Sequence, residues 1–179
     1  MRFGLSVITI FSSILSANEI GHRMPDVVLD AIKHCECLKE SDGSCNPHVI
    51  RINSKDEAAL ATQAGYEVSG HIIRCGDTSY CSVLAKSLID GGITNLDLGP
   101  YQINYKYHPN PQLHEYFEEP IARERANSIL SKLVNAFGYS WETLGRYHHF
   151  NPKDKTRNQT YYMKMYAYIN QAGGLGSTE

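Results

Sequence analysis

Apolar residues recur at three-to-four spacing through Val28, Leu29, Ile32 and Cys35, behind a Pro25-Asp26 start signal. That pattern predicts an amphipathic helix over Val27 to Leu38. Polar residues 39–44 end it, and Asn46-Pro47 turns the chain. Between His48 and Asn53, Val49, Ile50 and Ile52 alternate with polar residues, and Tyr66 to Cys75 reads as a second extended piece. The two suggest a small β-hairpin, with a short helix over Lys55 to Gly65 between them. Thr78 to Gly91 reads as a helix turning Val83, Leu84, Ser87 and Leu88 inward. Pro120 to Phe137 is a long helix with a stripe of Ile121, Arg125, Ile129, Leu133 and Val134, Arg125 lying along it by its aliphatic stem. Gly138 stops it, and Ser140 caps a helix over Trp141 to His148. A polar loop over Asn151 to Asn158 precedes a last helix, Tyr161 to Asn170, capped by Thr160. Gly173, Gly174 and Gly176 mark a loose tail. The fold class is mainly α (α+β), with no repeat and no second domain.

The first 17 residues change the picture. Arg2, a mostly apolar run from Phe3 to Leu15, small Ser16-Ala17 and polar Asn18-Glu19 follow the order of a signal peptide. The apolar run is short for a membrane span. The expected organisation is a signal at 1–17 and a single domain at 18–179, exported to the periplasm or cell envelope. In such a compartment the five cysteines are disulfide candidates. Cys75 and Cys81 flank one turn-rich loop, and Cys37 and Cys45 another, which leaves Cys35 over. Zinc sites favour Cys-x-x-Cys pairs, and the chain has none. Eight histidines include no His-x-x-x-His pair, so no metal and no cofactor is expected. A net charge of −2 argues against a nucleic-acid surface.

The densest chemistry lies in Asn95-Leu96-Asp97-Leu98-Gly99-Pro100-Tyr101-Gln102-Ile103-Asn104. Gly99-Pro100 marks a turn, which in a purely structural reading feeds a short buried helix. Gln102 and Asn104 each offer a donor and an acceptor, and Tyr101 a flat face with a polar tip. That mixture suits a neutral sugar. The stretch resembles the Gly-Leu-Met-Gln-Ile-Asn segment of the family 1 lytic transglycosylases, the goose-lysozyme-like enzymes that cut peptidoglycan. Gly99, Gln102, Ile103 and Asn104 match, while Pro100 and Tyr101 replace Leu and Met.

Breaking a glycosidic bond needs a carboxylic acid that holds its proton beside the bridging oxygen. Glu36 and Glu40 compete for that role, i and i+4 on the first expected helix. In the family the acid ends this helix in a pattern like Leu-Leu-x-Ala-Ile-x-x-x-Glu-Ser, followed soon by Asn-Pro. Residues 28–36, from Val28 to Glu36, match it without a gap, whereas Glu40-Ser41 matches the Glu-Ser pair and lies nearer Asn46-Pro47. Register favours Glu36. Four and seven residues before it stand Ile32 and Leu29; before Glu40 stand Glu36 and Lys33, which would carry charge into the core. The choice implies an insertion before Asn46 that a Cys37–Cys45 disulfide would pinch off. Glu67, in Glu67-Val68-Ser69-Gly70, mimics the family's Glu-Ser-Gly but follows Asn46-Pro47 in an expected strand.

Gly145-Arg146-Tyr147-His148-His149 resembles the Ala-x-x-Tyr-His-Ser segment of the conjugation- and secretion-associated branch. By that resemblance Tyr147 approaches the acid and the sugar, with His148 beside it. Tyr161 fits the tyrosine of the family's Tyr-Val segment, Tyr162 replacing Val. The resemblance runs from about Pro25 to Asn170 and implies a lysozyme-like (SLT-domain) fold. It implies Glu36 (alternatively Glu40) as acid, and Gln102, Asn104, Tyr101, Tyr147, His148 and Tyr161 at the substrate. The implied reaction cleaves the MurNAc-GlcNAc β-1,4 bond of peptidoglycan to a 1,6-anhydromuramyl product, without a second carboxylate. Asp97 reads as a turn residue. A hydrolytic lysozyme on the same fold, or a non-catalytic glycan-binding or assembly subunit of a secretion or conjugation apparatus, are the competing expectations.

Overall fold

The structure, a computed structural model, describes residues 23–150 and 155–172. The expected signal at 1–17 and the tail from Gly173 lie outside the described residues. In chain order the elements are α1 (Asp26–Glu36), β1 (Val49–Ile52), α2 (Lys55–Gln63), β2 (Ile72–Arg74), α3 (Thr78–Asp90), β3 (Leu96–Leu98), β4 (Ile103–Asn104), a 3-10 turn (Leu113–Tyr116), α4 (Glu119–Phe137), α5 (Trp141–Gly145) and α6 (Lys155–Gln171). The chain is mainly helical with one small antiparallel sheet, an α+β protein. No described helix is long and apolar enough to cross a membrane. Two compact units divide it: residues 32–126, and residues 23–31 with 127–150 and 155–172. The boundaries fall inside α1 and α4.

The first unit, residues 32–126, holds the sheet, in strand order β2-β1-β3-β4. Strand side chains alternate faces, and register does the rest. Ile50 pairs with Leu98, Ile52 with Leu96, and Leu98 with Ile103, so one face is a block of buried aliphatics. The intervening residues form a polar row, Arg51 opposite Asp97 and Asp97 opposite Asn104. The sheet is larger than the expected hairpin. Tyr66 to Cys75 is extended as a strand only at Ile72–Arg74, and two further strands come from the Leu96-to-Asn104 stretch. No helix follows Pro100 there. Gln102 N donates to Gly99 O at 3.2 Å, closing a β-turn with proline second, the position where its fixed φ fits.

Helix α3 is capped by Asp77, whose carboxylate accepts from Tyr80 N at 2.8 Å. It buries Cys81, Ala85 and Leu88. Val83 is 64% exposed and Ser87 is exposed, contrary to the expected stripe. Helix α4 buries Ala122, Ala126, Leu130 and Val134, while Ile121 faces outward. Leu88 and Val134 face inward as expected, but much of each inward face is alanine. Small alanines occupy the inward face, where close packing leaves little room.

The second unit is helical. Ser140 caps α5 by accepting from Thr143 N at 3.1 Å. The helix ends at Gly145, with a turn through His148, short of the expected Trp141 to His148. A Cβ on Gly145 would meet Asn158 Cβ and O at 3.3 Å, so glycine admits α6 this closely. Helix α6 begins at Lys155, earlier than the expected Tyr161. Asn158 is buried inside the helix, and Thr160 is no cap, its hydroxyl donating back to Thr156 O at 3.0 Å. Tyr161, Met165 and Ile169 form the buried stripe of α6, and Trp141 meets Tyr166 edge-on at 5.6 Å.

Candidate functional site

Glu36 is the last residue of α1 and is 8% exposed. Leu29 and Ile32, seven and four residues earlier on the same helical face, are fully buried. The apolar stripe therefore ends in a carboxyl group. Cys37 follows at once and is bonded to Cys45, their Cα atoms 5.6 Å apart. The intervening loop folds on itself: Asn46 N donates to Leu38 O and Glu40 N to Ser44 O, both at 2.9 Å. A second disulfide, Cys75–Cys81, ties β2 to α3, and Cys35 stands outside both bonds.

Glu40 is not on α1, contrary to the i, i+4 expectation. It lies in the disulfide loop, where it accepts from Asn46 Nδ2 and sits 3.8 Å from Arg74 Nε. The argument that Glu40 would drag charge into a helical core therefore lapses. The burial of Glu36 and the half-exposure of Glu40 separate the two carboxyls instead.

In the same unit, the turn between β3 and β4 carries the amides. Gly99 has φ +70°, and a Cβ there would fall 1.8 Å from Tyr116 O, so no other residue fits. Tyr101 is fully buried, and its hydroxyl accepts from an Arg123 guanidinium N–H at 3.2 Å. It packs the turn from beneath and offers no face for stacking on a sugar, which corrects that expectation. Gln102 adopts φ +46°, rare for a side-chain-bearing residue, and is 7% exposed. Its Nε2 donates to Gly99 O at 2.8 Å, and its Oε1 has no partner among the described residues. Asn104 Nδ2 donates to Asp97 Oδ1 at 2.7 Å and to Asn95 Oδ1 at 3.0 Å.

Asp97 is the residue the sequence reading undervalued. It sits in the middle strand of the polar row. Burial pushes its carboxyl above the usual range, against hydrogen bonds from Asn53 and Asn104; the neighbouring Glu36 charge adds to the rise and Arg51 opposes it. The Leu96-Asp97-Leu98 alternation pointed Asp97 away from the leucine face, but only strand pairing sets it beside Arg51 and Asn104.

The remaining candidates lie in the helical unit. Tyr147 is half-buried just after α5. His148 is exposed and stacks on Tyr161, ring centroids 4.7 Å apart and planes 7° from parallel. Tyr161 is buried, and its covering ring is this histidine, so His148 is the accessible member of the pair. No group of three or more His, Cys, Asp or Glu among the described residues is placed to hold a metal. No protein-family model, curated protein or solved structure matches this chain.

Proposed function

We propose that this chain is an exported lytic transglycosylase with a lysozyme-like fold, acting on peptidoglycan glycan strands in the periplasm, with components of a cell-envelope secretion or conjugation apparatus as partners. One observation carries the reading. A nearly buried carboxyl, Glu36, ends an apolar helix stripe in the same unit as a strained amide-bearing turn. Glu36 protonates the bridging oxygen between MurNAc and GlcNAc as the glycosidic bond breaks. The substrate's acetamido group steadies the developing cation. The Glu36 carboxylate then takes the proton of the muramyl C6 hydroxyl as that oxygen closes the 1,6-anhydro ring. The enzyme returns to its starting protonation state, and no water is consumed. Gln102 and Asn104 bind the sugar.

A second reading, hydrolysis by a lysozyme-like reaction, is favoured by one observation: a second, largely buried carboxyl, Asp97, is held by strand pairing in the same unit as Glu36. It could serve the base role toward water. Mass spectrometry of muropeptides released from isolated sacculi separates the readings. Anhydro ends support the first and reducing ends the second. Absence of any release from folded protein refutes both and points to a glycan-binding or assembly subunit.

A further inference from the structure

The polar row Arg51, Asp97, Asn104 is fixed by strand register, not by a flexible loop. A primary amide has two N–H donors and one oxygen acceptor. Asn104 directs its Nδ2 to both Asp97 and Asn95, so its donors are engaged within the protein. Its Oδ1 is left buried without a partner among the described residues. Gln102, over nine-tenths buried, repeats the arrangement: Nε2 is spent on Gly99 O and Oε1 is unpartnered. Both amides of the hairpin therefore present acceptors, beside the Asp97 carboxyl, which also accepts. Such a site selects a ligand rich in N–H and O–H donors and discriminates against anions.

We infer that Asp97 is a positioning residue of the Glu36 site, holding Asn104 with its amide oxygen presented to a donor of an N-acetylated sugar, an acetamido N–H or a hydroxyl. Asp97 itself need not touch the sugar. Its carboxyl fixes which end of the Asn104 amide faces the ligand, and Asn95 completes the clamp. The inference rests on the proposed glycan-cleaving reading and assigns Asp97 a task that reading does not require.

The test uses the Glu36→Gln protein, which cannot turn over, titrated with a GlcNAc–MurNAc tetrasaccharide and followed by heteronuclear NMR of side-chain amides. Binding is expected to shift the Asn104 and Gln102 amide resonances together. Adding Asp97→Ala frees the Asn104 amide to rotate and weakens binding by about tenfold, the scale of one well-placed hydrogen bond. Asp97→Asn, whose own amide oxygen can still accept from Asn104, restores most of that loss. A merely structural role would not give this rescue pattern in affinity. Unchanged affinity in Asp97→Ala, or an Asp97→Asn variant as weak as Asp97→Ala, overturns the inference. If Asp97→Ala does not fold, the parent titration still decides: a Gln102 shift with Asn104 unmoved sinks the inference and spares the reading. No shift at either residue sinks both.

Discussion

Replacing Gly99 by alanine tests whether the turn that carries Gln102 is as constrained as its geometry requires. The change adds one methyl group in two kinds of trouble. At φ +70° an L-residue pays roughly 1–2 kcal/mol for the left-handed conformation. The added Cβ would also fall 1.8 Å from the backbone oxygen of Tyr116. That oxygen cannot swing aside like a side-chain tip. Tyr116 is fully buried, its hydroxyl donates to His108 O, and the Arg125 guanidinium lies 4.6 Å over its ring. Relief requires moving backbone against packed neighbours, at a cost of about 1–3 kcal/mol for such overpacking. The sum is about 2–5 kcal/mol, or a fall in Tm of roughly 4–20 °C for a chain of this size. Gly92→Ala is the control. Its φ is +86°, but nothing lies within 4 Å of an added Cβ, so only the conformational cost applies. Thermal unfolding followed by circular dichroism compares the two directly. Equal Tm losses for Gly99→Ala and Gly92→Ala would refute the claim that Tyr116 holds the turn closed.

Glu36→Gln keeps the size and shape of the side chain but cannot deliver a proton, so cleavage of isolated sacculi is expected to drop about 10²–10⁴-fold with Tm little changed. Glu40→Gln, whose amide oxygen can still accept from Asn46, should stay near the parent rate; the reverse pattern would move the acid to Glu40. Serine at both Cys37 and Cys45 opens a loop of sequence separation 8, costing about 2.5 kcal/mol on the loop-entropy scale, and denaturant unfolding should show it. Asp97 supplies a pH test. A carboxyl whose folded-state pKa lies above its unfolded value contributes stability that is full below the usual carboxylate range and lost as pH rises through the folded value. Arg51, Glu36 and Glu57, which accepts from Asn95 N, are the charged neighbours of this row. Asp97→Asn lacks that ionisation, so Tm of the variant should gain on the parent as pH climbs above the carboxylate range; a constant gap between the two curves would refute it.

The helices and the disulfides were largely readable because their signals are local. Asp26, Ser54, Asp77 and Ser140 sit at or near helix starts, and Cys37–Cys45 and Cys75–Cys81 each close a short polar loop. Helix α1 was placed well because its apolar spacing continues to Glu36, yet its end was overshot: nothing apolar marks where Cys37 leaves the helix for its disulfide. The inward faces of α3 and α4 are only partly legible: Leu88 and Val134 are buried as the pattern expects, but Val83 and Ile121 face out and burial falls to Ala85, Ala122 and Ala126, which weigh little in a hydrophobic pattern. Strands β3 and β4 were missed because they are three and two residues long and exist by pairing with partners distant in sequence. For the same reason Tyr101 looked like an exposed platform. Its burial depends on Arg123 and the turn above it, neither of which leaves a mark in the ten-residue motif.

Asp97 also bears on which product forms. Transglycosylation needs one carboxyl to give a proton and take one back, and the proposed mechanism assigns both to Glu36. Hydrolysis needs a base toward water at a moment when Glu36 has just lost its proton to the leaving group, unless a covalent intermediate lets Glu36 serve twice. Asp97 is the one carboxyl on the described strands, and its position is set by pairing on both sides. Asp97→Asn therefore separates its two conceivable tasks. The amide keeps an acceptor for Asn104 but cannot accept a proton from water. Under the transglycosylase reading the variant should release anhydro ends at near-parent rates. Under direct hydrolysis with Asp97 as base, reducing ends should fall by about 10²–10⁴-fold while tetrasaccharide binding persists. Mass spectrometry of the released ends, run alongside binding on the same variant, distinguishes loss of chemistry from loss of the sugar. Anhydro ends that disappear from Asp97→Asn while binding is retained would show that Glu36 does not work alone, and the single-carboxyl mechanism would have to be given up.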